Sequence, residues 1–327
     1  NLNTNSGDIV LIDGATVRSY GGDITYSSAG QLGIVRTKTD GGQLNITATE
    51  VYDNGNTGPD IETLGGNIVF DVLGDIGVSG NGSLELRDSV VTGNVGSNNA
   101  TWDFRAYAAT NFNSIGNIDL DGGNGFNLQL HNNNGGQVNI VGNIEDSNTA
   151  TLDQANISLQ TLIAGDDIVI GDGFRVQSYG GAITYNSADQ IGLAQTLSGG
   201  GAINITAAGN IYDNSVTGSE IVTDGGVVTI NAGGDVGGTS FAGAIEIRDS
   251  ILDLNYSQNN QNVWLIAGAT NSYLNIRDVD FNGAQGSNFN AQAQAGADII
   301  VSGDMYDSDT GIQDSVSVNL ITTTNTG

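Results

Sequence analysis

The 327-residue sequence has no cysteine, one histidine (His131) and one proline (Pro59). Without cysteine there is no disulfide framework and no thiol nucleophile. With a single histidine besides, a zinc site of the usual Cys/His type has too few ligands. Basic residues are equally scarce: 8 Lys and Arg stand against 36 Asp and Glu, a net charge of −28. Nucleic-acid binding needs clustered Lys and Arg, and docking on an anionic bilayer needs the same sign, so neither partner is expected. No apolar run reaches transmembrane length, so membrane insertion is not expected. Aromatics make up 6% and charged residues 13% of the chain, the latter about half the usual quarter. The chain begins at Asn1 with neither initiator Met nor signal peptide, and reads as a processed product or a piece of something longer. A protein free of disulfides at a bacterial surface fits this composition.

What fills the gap is glycine, 50 residues, with abundant Asn, Thr, Ser and Asp, arranged as phrases that recur. "GGAINITAAGNI" at Gly200 returns as "GGNIVFDVLGDI" at Gly65, "GGQVNIVGNI" at Gly135 and "GGVVTINAGGDV" at Gly225. A longer repeat encloses the short one. "SYGGDITYSSAGQLG" from Ser19 answers "SYGGAITYNSADQIG" from Ser178. "YDNGNTG" at Tyr52 answers "YDNSVTG" at Tyr212, and "ELRDSVV" at Glu85 answers "EIRDSIL" at Glu246. Trp102 pairs with Trp264. The sequence divides into repeat unit 1, residues 1–164, and repeat unit 2, residues 165–327, expected to form one continuous solenoid.

Inside each unit, apolar residues at i and i+2, as in Leu44/Ile46 and Ile203/Ile205, recur at steps close to twenty residues, with Gly, Asn, Asp and Ser between them. Period-two alternation in short turn-bounded runs means strands, and no segment holds a helical apolar pattern. The predicted fold is all-β, a parallel β-helix (β-solenoid) with roughly twenty residues per rung, about sixteen rungs and a length of roughly 75 Å. Gly and Asn supply the positive φ that its corners need. One proline suits a continuous ladder, which loses a donor at each proline.

The pattern GG-x-Φ-x-Φ-x-A-x-GN-Φ (Φ apolar), carried by "GGAINITAAGNI", "GGVVTINAGGDV" and "GGNIVFDVLGDI", resembles the filamentous haemagglutinin family. These are large haemagglutinin-repeat exoproteins of two-partner secretion, with related autotransporter adhesins. The resemblance implies a right-handed β-helix exported to the cell surface as a structural or adhesive filament. Here the unit of about 160 residues is a second-order repeat, unlike the family's simple short arrays, and the family's amino-terminal secretion domain is not recognisable.

Few residues can carry chemistry. His131, beside an Asn-rich turn, reads as a solvated corner and not as part of a triad. Glu85, Arg87 and Asp88 resemble an acid pair around a cation, as a β-helical polysaccharide lyase or hydrolase would use. Glu246, Arg248 and Asp249 repeat them one unit later. An active site is built once, so both sets read as lateral ion-pair rungs, with Glu85 and Arg87 outward and Leu86 inward. No enzyme activity and no cofactor are expected. The metal candidates are a weak Ca²⁺ cluster of Asp304, Asp307 and Asp309, and "DGGNGFNL" at Asp121, which lacks the acid a calcium-binding β-roll places there. Tyr20/Tyr179 and Tyr52/Tyr212 either pack in register or line a carbohydrate face. Asn45 and Asn204 are paired outward sequons. The expected partners are further copies of the repeat, covalent or end to end, with lateral bundling, and a surface carbohydrate or receptor. The alternatives to an extracellular filament segment are a polysaccharide-active enzyme and a self-assembling fibre, sheath or surface-layer subunit.

Overall fold

The computed structural model describes residues 1–55, 58–80, 82–107, 113–132, 135–148, 152–216, 218–256, 258–268, 271–282, 285–294, 296–308 and 315–323. They form short parallel strands, and the one helical element among them is a single 3₁₀ turn, Phe241–Gly243. The chain forms two compact units, Asn1–Asp166 and Asp167–Gly327. Each is a β-solenoid in which every strand pairs in parallel with its counterpart one turn away.

The registers fix the turn length. In the first unit Leu2, Tyr26, Ile46, Phe70, Gly93, Ile118 and Ile144 lie in one row, at steps of 24, 20, 24, 23, 25 and 26 residues. In the second, Tyr185, Ile205, Ile230, Leu254, Val279 and Met305 follow at 20, 25, 24, 25 and 26. The spacing is therefore nearer 25 than the expected twenty, and the turns are correspondingly fewer. The twenty-residue step belongs to the tightest turn of each unit, where the phrases are most alike. The other turns carry longer connections between their strands, such as that between Glu50–Asp53 and Ile61–Glu62.

Alternation decides what lies inside. Ile203 and Ile205 are fully buried while Asn204 between them is half-exposed. Ile24–Ser28, Leu44–Ala48 and Ile183–Ser187 alternate likewise. Outside, asparagines bond turn to turn: Asn156 to Asn127 (3.0 Å), Asn288 to Asn262 (3.0 Å) and Asn255 to Asn231 (2.5 Å).

The recurrent Gly-Gly marks one corner, built as Ser/Thr-x-Gly-Gly. The hydroxyl of Thr39, Thr63, Ser178, Ser198 or Thr223 donates to the carbonyl of the second glycine three residues on. The residue after the hydroxyl is left-handed at Asp40, Leu64, Tyr179, Gly199 and Asp224, with φ between 51° and 59°. The second glycines stack on one another. A Cβ on Gly42 would lie 2.3 Å from the Gly22 carbonyl oxygen, and one on Gly201 would lie 2.0 Å from that of Gly181. The phrase repeats because each turn's corner rests on the backbone of the turn before it.

Aromatics fill the first unit where its strands lengthen. Trp102 is fully buried among Phe70, Phe104 and Phe126, with centroids 5.8, 6.4 and 5.4 Å away. The register corrects its sequence match. Trp102 pairs with Ile76, and the residue in that position in the second unit is Val263, bridged to Val236. Trp264 is half-exposed and packs on Phe241 at 4.8 Å. Matching by residue identity placed the two tryptophans together, and the register separates them by one residue and hence by one face.

Candidate functional site

Both units bury a carboxylate behind the YDN phrase. Asp60 is 1% exposed and Glu220 is 2% exposed. The corner leading to each is a long one, which folds the acid inward to hold the strand of the next turn. Asp60 Oδ2 accepts the Glu85 backbone N–H at 2.7 Å, and Glu220 Oε2 accepts that of Glu246 at 2.6 Å. Ser215 also donates to Glu220, at 2.7 Å. Burial, with further contributions from nearby Asp53 and Glu85, pushes the Asp60 carboxyl up to about 8. Burial, with a smaller contribution from Asp213, raises Glu220 to about 7.

Each acid thus holds a proton in the folded protein over a pH range where the unfolded chain has lost it. Its stabilising contribution is complete below the unfolded carboxylate value, near pH 4. It is lost as pH rises through the folded value. The thermal midpoint should fall between pH 5 and pH 9. Asp60→Asn reproduces the protonated acid, one oxygen to accept and an N–H to donate, so it should flatten that fall. A thermal melt series that is unchanged by Asp60→Asn would contradict the assignment.

Around these acids stand the residues expected as ion-pair rungs. Leu86 is buried, with Glu85 and Arg87 half-exposed on either side of it. Glu85 pairs with Arg105, its register partner one turn on. Arg87 reaches Glu62 at 3.9 Å and Asp88 at 3.8 Å. Arg87 also ends a ladder in which Arg18 contacts Asp40 (2.7 Å), and Lys38 contacts Asp40 (3.3 Å) and Glu62 (2.8 Å). In the second unit Glu246 accepts from Ser219 at 2.5 Å, and Arg248 lies 3.8 Å from Asp249. The difference has a cause in the chain. Ser219 stands where the first unit has Pro59, which has no hydroxyl, and Ile266 stands where it has Arg105. Asp88 and Asp249 are left-handed corner residues, with φ of 48° and 50°, whose carbonyls accept from Gly65 and Gly225.

His131 is corrected from corner to strand. It lies within Phe126–Asn132, in register with Arg105 and Gln160, with Nδ1 3.0 Å from Gln160 Oε1 and Nε2 3.9 Å from Asp103 Oδ1. Its described partners include no serine. Tyr52 and Tyr212 lie over Gly33 and Gly192, where a Cβ would come within 2.7 Å of the ring. Tyr20 is exposed, with the Arg18 guanidinium 4.4 Å above its ring. Asp304 is exposed and Asp307 half-buried, while Asp309 lies outside the described residues. Gly122 in the Asp121 segment donates to Asp153, closing a turn. Among the described residues no three His, Cys, Asp or Glu side chains converge as metal ligands.

The buried acids were not singled out from sequence. Their signal was there, as an Asp or Glu before a β-branched residue, eight positions after the Tyr of each YDN phrase. The chain matches no protein-family model, no curated protein and no solved structure.

Proposed function

We propose that the chain is a segment of an extracellular cell-surface filament, whose work is mechanical: to extend, to coat or to adhere. The observation that carries this reading is the duplication of the acidic corner. Asp60 and Glu220 occupy equivalent places, each bonded to the backbone of the next turn. One acid in each unit spent on a backbone donor of the next turn is a fastening, and a solenoid fastened in both units suits a load-bearing shaft. A filament whose repeats continue covalently or end to end belongs to the same reading.

The competing reading is a polysaccharide-active enzyme, because a buried acid with a raised pKa is also what a general acid requires. A turnover screen separates the two. Incubated with acidic and neutral polysaccharides, the protein should generate neither new reducing ends nor unsaturated products. Turnover abolished by Asp60→Asn or by Glu85→Gln, with Glu220 and Glu246 intact, would reverse the ranking.

A further inference from the structure

With 36 acids for 8 bases, every cation has carboxylates to choose from, and four hold one closely. Arg18 and Lys38 hold Asp40 and Glu62, Arg105 holds Glu85, and Arg277 holds Asp253. Two guanidiniums of the first unit stand apart. Arg36 is exposed and makes no ion pair or side-chain hydrogen bond with any described residue. Arg87 meets Glu62 and Asp88 only at 3.9 and 3.8 Å, beyond hydrogen-bonding reach. Both line one open cleft of about 260 Å³, with Tyr107, Pro59 and the exposed turn that includes Asp13.

A cleft of the same size recurs in the second unit, lined by Gln195, Gly218, Ser219, Glu246 and Arg248, and what differs is the chemistry of the lining. The registers place Gln195 in the second unit where the first has Arg36, and Gly268 where it has Tyr107. Ser219 replaces Pro59, while Arg248 and Gly218 keep the types of Arg87 and Gly58. At Gly268 a Cβ would lie 2.1 Å from Glu246 Oε1, so an aromatic there requires that side chain to move. The acidic corners keep their chemistry in both units, whereas this cleft keeps its place and changes its side chains.

We propose that the cleft binds a uronate unit of an acidic polysaccharide. The two guanidiniums offer forked donors matched to a carboxylate. The half-buried Tyr107 ring offers an apolar face for the sugar's C–H surface. Asp13 in the lining, and Glu62 and Asp88 at 3.9 and 3.8 Å from Arg87, leave the two guanidiniums no surplus charge, which suits a monoanionic carboxylate better than a phosphate dianion. A chain of net charge −28 also repels densely charged polyanions more than it repels one carboxylate per sugar. The site concerns a soluble ligand, so its failure would leave the filament reading standing.

The test is titration calorimetry of the whole 327-residue chain against polygalacturonate, the same polymer after carboxyl reduction, dextran, and inorganic phosphate. Polygalacturonate should bind and the other three should not. Arg36→Gln, which installs the side chain the second unit already carries, should weaken binding at least tenfold with an unchanged melting temperature. Arg87→Gln should do the same, and Arg277→Gln should change nothing. Gln195→Arg reports on the same chemistry from the other unit and should not restore binding to Arg36→Gln, because Gly268 leaves no aromatic there. Absence of binding to polygalacturonate, equal binding of the carboxyl-reduced polymer or phosphate, or undiminished affinity in the Arg36→Gln, Arg87→Gln double variant would overturn the proposal.

Discussion

Gly201→Ala should destabilise the second unit by about 3 kcal/mol or more, the upper end of overpacking costs. The added methyl would sit 2.0 Å from the Gly181 carbonyl oxygen and 2.8 Å from that of Gly180. Both are backbone atoms of the adjacent turn, pinned by the hydrogen bonds Gly180 N–H to Ser198 O and Gly181 N–H to Ser178 O, so no rotamer change relieves the clash. Gly200→Ala is the control. It meets nothing within 4 Å but has φ of +98°, so its cost is backbone strain alone, about 1–2 kcal/mol. Stacked repeats open locally, so the readout is hydrogen exchange at Ile203 and Ile230 alongside denaturant unfolding. A Gly201→Ala variant within about 0.5 kcal/mol of the parent would show that the corners do not rest on one another.

Trp102→Ala should cost about 3–5 kcal/mol in the first unit, the usual range for emptying a buried aromatic site. Its ring is fully buried, meets Phe126 edge-on at 88°, and donates its indole N–H to the Gly74 carbonyl at 3.3 Å. The lining offers little collapse, because Phe70 and Phe104 already pack on each other at 5.6 Å. Trp264→Ala removes a half-exposed ring and should cost about 1 kcal/mol, near the centre of single-substitution effects. With two tryptophans in the chain, each single variant leaves one fluorescent reporter. Emission from Trp102 should be blue-shifted and protected from quenchers, and that from Trp264 should not. Equal costs, or equal quenching, would restore the equivalence that residue matching alone suggested.

That pair of tryptophans shows where sequence reading succeeds and where it stops. Alternation is a property of neighbouring residues, so the burial of Ile203 and Ile205 around Asn204 is legible without coordinates. The Gly-Gly corner is legible too, because positive φ and close backbone approach admit almost no other residue. Register is a relation between distant residues. Its period shows only where turns are shortest, which is why the twenty-residue steps of Ile24 to Leu44 and Ile183 to Ile203 stood in for turns that average nearer 25. The candidate sites follow the same division. Glu85 and Arg87 share an outward face as the alternation demands, yet Glu85 bonds to Arg105, twenty residues away. Asp60 and Glu220 drew no reading, because their local pattern, an acid before a β-branched residue, does not say that the carboxylate folds inward onto the next turn. The cleft of Arg36, Arg87 and Tyr107 gathers residues from separate turns, and no motif marks it.

The central claim, a filament displayed outside the cell, is tested most directly by immunogold electron microscopy of intact, unpermeabilised source cells with an antibody raised against this chain. Gold should decorate threads extending from the cell surface, and brief external protease treatment should remove it. Label that appears only after lysis, or that survives external protease on sealed cells, would contradict the account.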